Sequence, residues 1–442
     1  MEYLRPHLAH RRPLRAPPQQ RRLRLLAPPL RAAAVAAALI ATGMVLADSS
    51  PYYVGVSQTF GHESNLLRLE SAAKVPDGYS RDDTLSSTAL LAGIDQPMGR
   101  QRLKGGLTLR DNRYSANDQF NNQSYAANLA LDWETVNRLS GTLAGNASRT
   151  LASFNRQEVG FLSDKNFEDA KALDASVRLG VVTQYALLAS AGHREVSNTL
   201  NDDRVQSRNF RQDTGSLGLR WQRSNLLILG VGLRTTEGRY PKFQHLPDGS
   251  FQADRFKRND IDLTADYQPS GASTLNARLS SGKTEYDLVS QRNYSGLTGS
   301  LNWGWQATGK LRINTSLSRD TGQDSYAVNV QNTSSTADYS RVNTVLRVGA
   351  EWAATSKIAV TASVATGQRD LVRSLPTLAG QTINDSGRER NTSFSVGARW
   401  APTRNSLVGC TANTDRTTGS GVLANSNIKG TGINCYGQLT LQ

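Results

Sequence analysis

What this chain lacks narrows its class before any motif is considered. Past residue 47 it has no run approaching about 18 unbroken apolar residues, so no helix in that part can cross a bilayer. Lysine is scarce. The only cysteines are Cys410 and Cys435, and neither sits in a redox motif. His193 and His245 stand alone and form no metal cluster with a nearby Cys or carboxylate. No zinc-finger, RNP or helix-turn-helix pattern occurs. Much of the net charge of +14 is N-terminal: residues 1–47 carry eight Arg and one Glu, and without them 43 basic and 36 acidic groups leave +7. Nucleic acid is therefore not an expected partner.

What is present is alternation. Between Ser124 and Thr150, Tyr125, Ala127, Leu129, Leu131 and Trp133 alternate with Ser124, Ala126, Asn128, Asp132 and Glu134. After a break at Thr135-Val136-Asn137 the pattern resumes with Leu139, Gly141, Leu143, Gly145 and Ala147. Period-2 patterning on both sides of a tight break is a β-hairpin with one apolar face. Each arm exceeds about ten residues, and a tilted strand needs about 9–11 to cross a bilayer.

The same unit fills the chain. Strands are predicted at about 52–60 and 84–94, then a turn Asp95-Gln96-Pro97, then Leu103, Gly105, Leu107 and Leu109. Hairpins follow with turns at Val181-Val182, Arg223-Ser224-Asn225, Pro269-Ser270-Gly271, Ala307-Thr308-Gly309, Ala354-Thr355-Ser356 and Pro402-Thr403. A last strand carries Ile433, Cys435, Leu439 and Leu441. The sum is about eighteen strands, with short connections alternating with long ones such as 61–83, 194–210, 237–257, 320–337 and 368–388. That is the expected asymmetry of an all-β, antiparallel transmembrane barrel of the outer membrane, with short periplasmic turns and long extracellular loops. Residues 48–442 form this single domain. A soluble all-β repeat protein is the alternative architecture. The six Trp argue against it: Trp133, Trp221, Trp303, Trp305, Trp352 and Trp400 all fall on the outward phase where a strand enters a short turn. That placement predicts a girdle at the periplasmic membrane interface.

Residues 1–47 are predicted to be a signal peptide with a basic extension. Arg5, Arg11, Arg12, Arg15, Arg21, Arg22, Arg24 and Arg31 precede an apolar run, Ala32 to Leu46, and cleavage is expected after Ala47.

On the inward phase lie Arg102, Lys104, Arg110, Arg178, Arg220, Arg234, Arg278, Arg312, Arg347 and Arg399, with Asp132, Glu134, Asp174, Asp262, Asp266 and Glu351. They predict an across-lumen ion-pair network, a basic translocation path for an anionic ligand, or both. Cys410 and Cys435 lie on the outward phase about equally far from a loop midpoint near Leu423, a register that would oppose them as a cross-strand disulfide in the oxidising periplasm. His62-Glu63-Ser64-Asn65 resembles the His-x-Ser-Asn run of outer-membrane phospholipases and lipid A deacylases, where His activates Ser. Those families follow the Asn with Gly, whereas Leu66 stands here, and no third, orienting group is evident.

The opening Tyr52-Tyr53-Val54-Gly55-Val56, followed by Glu63-Ser64-Asn65-Leu66-Leu67-Arg68-Leu69, is similar to the start of EpsL-like exopolysaccharide biosynthesis transporters, outer-membrane β-barrels of exopolysaccharide operons. That resemblance implies secretion of a polysaccharide polymer, fed by periplasmic exopolysaccharide export components. It also supplies a structural role for the His62 segment. The chain departs from the usual terminal aromatic recognised by the barrel-assembly machinery, ending Leu439-Thr440-Leu441-Gln442, which is read as a variant of that signal. The sequence thus points to a barrel in outer-membrane lipid that exports an exopolysaccharide through a basic, water-filled lumen, with no catalysis and no cofactor. A general or substrate-specific diffusion porin is the first alternative, and a barrel-embedded lipid hydrolase the second. Porins usually fold one loop inward as a constriction, and the loop after the third outgoing strand is where that is expected.

Overall fold

The computed structural model describes residues 50–441, except 137, 153–154, 157–159, 162–163, 181–183, 247, 322–339, 377–381, 422–423 and 425–426. The signal segment 1–47, the turn at Val181-Val182, most of the loop 320–337 and the midpoint at Leu423 fall outside the described residues.

The elements are β1 (Tyr52–Glu63), β2 (Asp83–Met98), β3 (Gln101–Tyr114), β4 (Asn122–Glu134) and β5 (Leu139–Leu151), then a two-residue hairpin, β6 (Asn155–Arg156) and β7 (Gly160–Phe161). They continue as β8 (Phe167–Leu179), β9 (Tyr185–Asn198), β10 (Phe210–Gln222), β11 (Leu227–His245), β12 (Phe251–Ser270), β13 (Ser273–Tyr286) and β14 (Tyr294–Gln306). The chain finishes with β15 (Leu311–Asp320), β16 (Ser340–Ala353), β17 (Ile358–Pro376), β18 (Thr382–Trp400), β19 (Ser406–Gly421) and β20 (Ile428–Leu441). Leaving aside the β6–β7 hairpin, these make one 18-stranded sheet in which each strand pairs with the next. β1 pairs antiparallel with β2 on one side and with β20 on the other, so the sheet closes into a barrel. Closure satisfies every inter-strand backbone group, the condition for placing strands in lipid.

Burial is inverted relative to a water-soluble sheet protein. On the outward phase Val54, Leu90, Leu129, Leu217, Ile261, Leu297 and Phe394 are half or more exposed, while inward Ser57, Ser87, Thr108, Ser148, Ser280 and Thr298 are buried. A surface this apolar is stable only against lipid. Among the described residues no helix is long and apolar enough to cross a membrane.

The strands are longer than the apolar alternation suggests. Asp95-Gln96-Pro97 is not a turn but the end of β2, and the chain reverses at Gly99-Arg100. The predicted loop 237–257 is mostly ladder: Glu237 pairs with Lys257 and Arg239 with Arg255. Likewise much of 368–388 continues β17 and β18, where Asp370 pairs with Arg388. Above the membrane the outward face meets water and carries charge, so the hydrophobic period disappears although the backbone period of two persists.

Candidate channel lumen and mouth

Every basic residue singled out from the sequence lies on the inward phase, but their partners differ from expectation. Arg102 holds Asp95 through both nitrogens at 2.5 Å, and Lys104 reaches Asp132 at 2.6 Å. Arg234 contacts Asp260 at 3.2 Å and Asp262 at 3.0 Å, with Arg278 at 4.0 Å from Asp262. Arg220 lies 3.3 Å from Asp266, and Arg399 pairs with Glu351. These pairs join adjacent or next-adjacent strands, so they run along the wall and not across the lumen. A wide barrel leaves its far wall out of reach of a side chain, whereas cross-strand neighbours are about 5 Å apart.

The wall is of mixed charge. It includes carboxylates absent from the predicted inward set, and all but the first come with an arginine also absent from it: Asp95 with Arg102, Asp260 with Arg258, Glu389 with Arg369, and Asp415 with Arg68. Asp132 also accepts from Thr142 at 2.9 Å, and Asn276 donates to Asp266 at 2.7 Å. Arg110 and Arg178 each keep a buried guanidinium nitrogen with no hydrogen-bond partner, and Arg312 donates to Gln306 at 3.3 Å. Arg347 lies opposite Ser316 and Ala365. Asp174 has one buried carboxylate oxygen without a partner, and Glu134 sits at the exposed end of β4.

The densest part of the wall centres on Arg258. Only 1% exposed, it forks onto Asp260 through Nε and Nη2 at 2.8 Å each, and Nη2 also reaches Thr298 at 2.8 Å. Ser280 donates to Asp262 in the same patch. A buried ionic network is tolerated only when its donors and acceptors are largely satisfied, and it then specifies register.

At the mouth, the first long loop is a packed structure. Leu67, Leu69 and Phe120 form a buried cluster joined by Tyr79, Tyr114 and Leu151. Asp83 anchors it, accepting from the amides of Thr84, Ser115, Ala116 and Asn117 at 2.7–3.0 Å and from Asn117 Nδ2 at 2.7 Å. Asn65 donates to the carbonyls of Leu69 and Lys429 at 2.8 Å and accepts from the Leu69 amide at 3.0 Å. Arg68, in a left-handed conformation (φ 53°), pairs with Asp415 over Gly430, where a Cβ would come within 3.0 Å of the Arg68, Asp415 and Glu63 side chains. The Glu63–Leu69 motif is therefore the fastening of this loop to β19 and β20.

A second inward element is the Ser290–Arg292 turn, which comes against β17, a strand not adjacent to it. Its Arg292 guanidinium lies 4.2 Å from the Tyr286 ring centre and 4.8 Å from that of Tyr240, beside a buried cluster of Phe210, Tyr240, Phe256 and Tyr286. Burial makes this cluster structural, closed to a passing ligand. The loop after the third outgoing strand, 152–166, carries the β6–β7 hairpin and lies partly outside the described residues.

The hydrolase motif is not assembled. Ser64 Oγ accepts from the Thr431 amide at 2.8 Å and meets the Thr431 hydroxyl at 3.0 Å, while His62 Nδ1 faces Thr84 at 3.5 Å. No hydrogen bond joins His62 to Ser64 among the described residues. His193 and His245 each meet one carboxylate, Asp213 at 2.7 Å and Asp203 at 2.6 Å, and among the described residues no three groups could hold a metal.

All six Trp lie within three residues of a strand end at a short turn. Trp303, Trp305, Trp352 and Trp400 are exposed on the outer face, and Trp133 packs over Gly141. Trp303 and Trp305 stack at 5.7 Å, and Arg223 lies 5.8 Å from the Trp221 ring. Cys410 and Cys435 are direct cross-strand partners joined in a disulfide on the outer face. For a separation of 25 residues, the Cys410→Ser, Cys435→Ser double variant should lose up to about 3.5 kcal/mol in urea unfolding from lipid vesicles. An unchanged midpoint would assign the bond no role in stability.

No protein-family model matches the chain, and no curated relative matches it. Among solved structures it is similar to the outer membrane protein OpdK of Pseudomonas aeruginosa, at 11% identity over 88% of this chain and 98% of that one, TM-score 0.43. OccK9 (OpdG) of the same organism gives 11%, 88%, 98% and 0.44. A mutant of its ferric enterobactin receptor PfeA gives 8%, 89%, 81% and 0.43. By its own closed register, apolar exterior and polar interior, the chain is an outer-membrane β-barrel.

Proposed function

We propose that this barrel is a passive conduit for exopolysaccharide export, doing no chemistry of its own. The observation that carries the reading is the lumen wall: its charges are largely paired within the wall and interspersed with Ser, Thr and Asn side chains. Such a surface offers a hydroxyl-rich polymer many weak contacts and no tight site, which is what passage requires. About eighteen strands suit an aqueous channel. Periplasmic export components would deliver polymer to the short-turn end, where the Trp residues form the membrane girdle. The barrel-assembly machinery would insert the chain after removal of residues 1–47.

The charge of the polymer is the finer part of the proposal. Arg312, exposed on the inward phase and bonded to Gln306 in place of a carboxylate, favours an acidic sugar. Purified barrel in a planar bilayer should conduct with modest anion preference, and oligosaccharides should block it transiently. A block by acidic oligomers that weakens as salt screens charge over about 8–10 Å supports anionic export. Block by neutral oligomers alone selects a neutral polymer. Conductance with no oligosaccharide block selects the diffusion porin, a reading favoured by the inward-packed first loop.

A further inference from the structure

The outer wall between β10 and β15 is not a uniform lipid-facing surface. An apolar groove of about 620 Å³ is sunk into it, rimmed by Leu263, Leu279, Leu297 and Leu317, with Ala265 and Ala277 in its lining. Its floor is Gly299, where a Cβ would stand 2.3 Å from the Arg278 carbonyl oxygen, so no larger residue fits. The groove lies in the apolar band, and Arg319 closes its extracellular end. Arg319 donates to the Leu297 carbonyl at 3.2 Å and to Thr344 at 3.4 Å.

Higher on the same wall, Arg211, Arg239 and Arg255 are direct cross-strand neighbours on the outward phase, all exposed. Like charges directly opposite one another destabilise a sheet. Arg211 has Glu195 at 3.0 Å, but among the described residues neither Arg239, Arg255 nor Arg319 has an ion pair with a carboxylate. Other charges at this height are matched, as Lys257 is with Glu237 and Lys283 with Glu285. An uncompensated arginine row above an apolar groove is half of an amphiphile-binding site whose other half is anionic.

We propose that this face binds a phosphorylated glycolipid of the outer leaflet, a lipopolysaccharide. One acyl chain would occupy the groove with the phosphate nearest it at Arg319, and phosphates of the sugar core, higher on the wall, would meet the Arg211–Arg239–Arg255 row. Guanidinium forks match phosphate oxygens bidentately, and charge-assisted pairs of this kind are the strong ones. A second copy of the chain is a poorer occupant, because an isologous contact centred on this face would bring the arginine row against the same row of the copy.

Native mass spectrometry of the full barrel, extracted from bilayers of purified lipopolysaccharide and phosphatidylglycerol, tests this. The wild-type protein should retain lipopolysaccharide. Arg239→Gln with Arg255→Gln should reduce retention at least about tenfold. Ala277→Phe should reduce it by filling the groove while leaving the arginines intact. Heat-modified gel migration confirms that each barrel is folded, and if Ala277→Phe does not fold, the arginine pair decides alone. Equal retention by the arginine variant, preferential retention of phosphatidylglycerol, or a dimer in place of bound lipid would each overturn the proposal. None of these outcomes bears on what the lumen carries.

Discussion

Replacing Asp260 by alanine should cost the barrel about 3–5 kcal/mol, the penalty for stranding a buried charge. Asp260 is 3% exposed and meets both Arg258 at 2.8 Å and Arg234 at 3.2 Å. Arg258, at 1% exposure, cannot turn to solvent when its carboxylate is removed. Urea unfolding from lipid vesicles should show the loss as a lowered midpoint with the slope unchanged. Removing both charges, by Arg258→Met with Asp260→Leu, should cost far less than Asp260→Ala alone, because no unpaired ion then remains. Equal losses in the single and double variants would mean that the pair contributes packing only. A loss under about 1 kcal/mol would mean that water reaches Arg258 in the lumen.

The second large effect is expected at the mouth. Asp83, 4% exposed, accepts from four backbone amides and one side-chain amide, and those of Ser115, Ala116 and Asn117 tie β2 to the segment after β3. Asp83→Ala leaves those donors unsatisfied at about 1–3 kcal/mol each, more than a surface loop can offset. The first loop should come away while the barrel wall stays closed. Single-channel conductance should rise, and a protease should cut within residues 64–82, which resist it in the parent. Asp83→Asn keeps an acceptor and should fall between. Unchanged conductance with new cleavage would show that this loop packs on the rim without narrowing the pore. Unchanged cleavage would show that the hydrophobic cluster around Leu67 and Phe120 holds the loop without Asp83.

Much of the fold is legible in the sequence because lipid imposes a strict rule. Leu103, Gly105, Leu107 and Leu109 must face one way and Arg102, Lys104 and Arg110 the other, and the structure places them so. The strand number and the alternation of short and long connections follow from the same period. The opposition of Cys410 and Cys435 follows from hairpin register, which makes residues equidistant from a turn face each other.

Two features were not legible, for different reasons. The upper halves of β11, β12, β17 and β18 carry charge on their outward face, so the signal that marks strands ends where the membrane ends. Asp260 and its partner Arg258 were consequently missing from the inward set, and Asp95 was missing because Pro97 reads as a turn. The role of the Glu63–Leu69 motif was hidden by distance along the chain, since Asn65 is fixed by Lys429 and Arg68 by Asp415.

The sequence by itself determined which face of each strand meets lipid, how many strands close the barrel, and at which end the tryptophans lie. These depend on nearest neighbours along a chain with a fixed repeat. Only the tertiary structure decided which carboxylate each arginine holds, that the first loop is fastened by Asp83, and that Arg239 and Arg255 stand above a groove floored by Gly299. Those depend on register summed over several strands, which brings together residues that no local pattern relates.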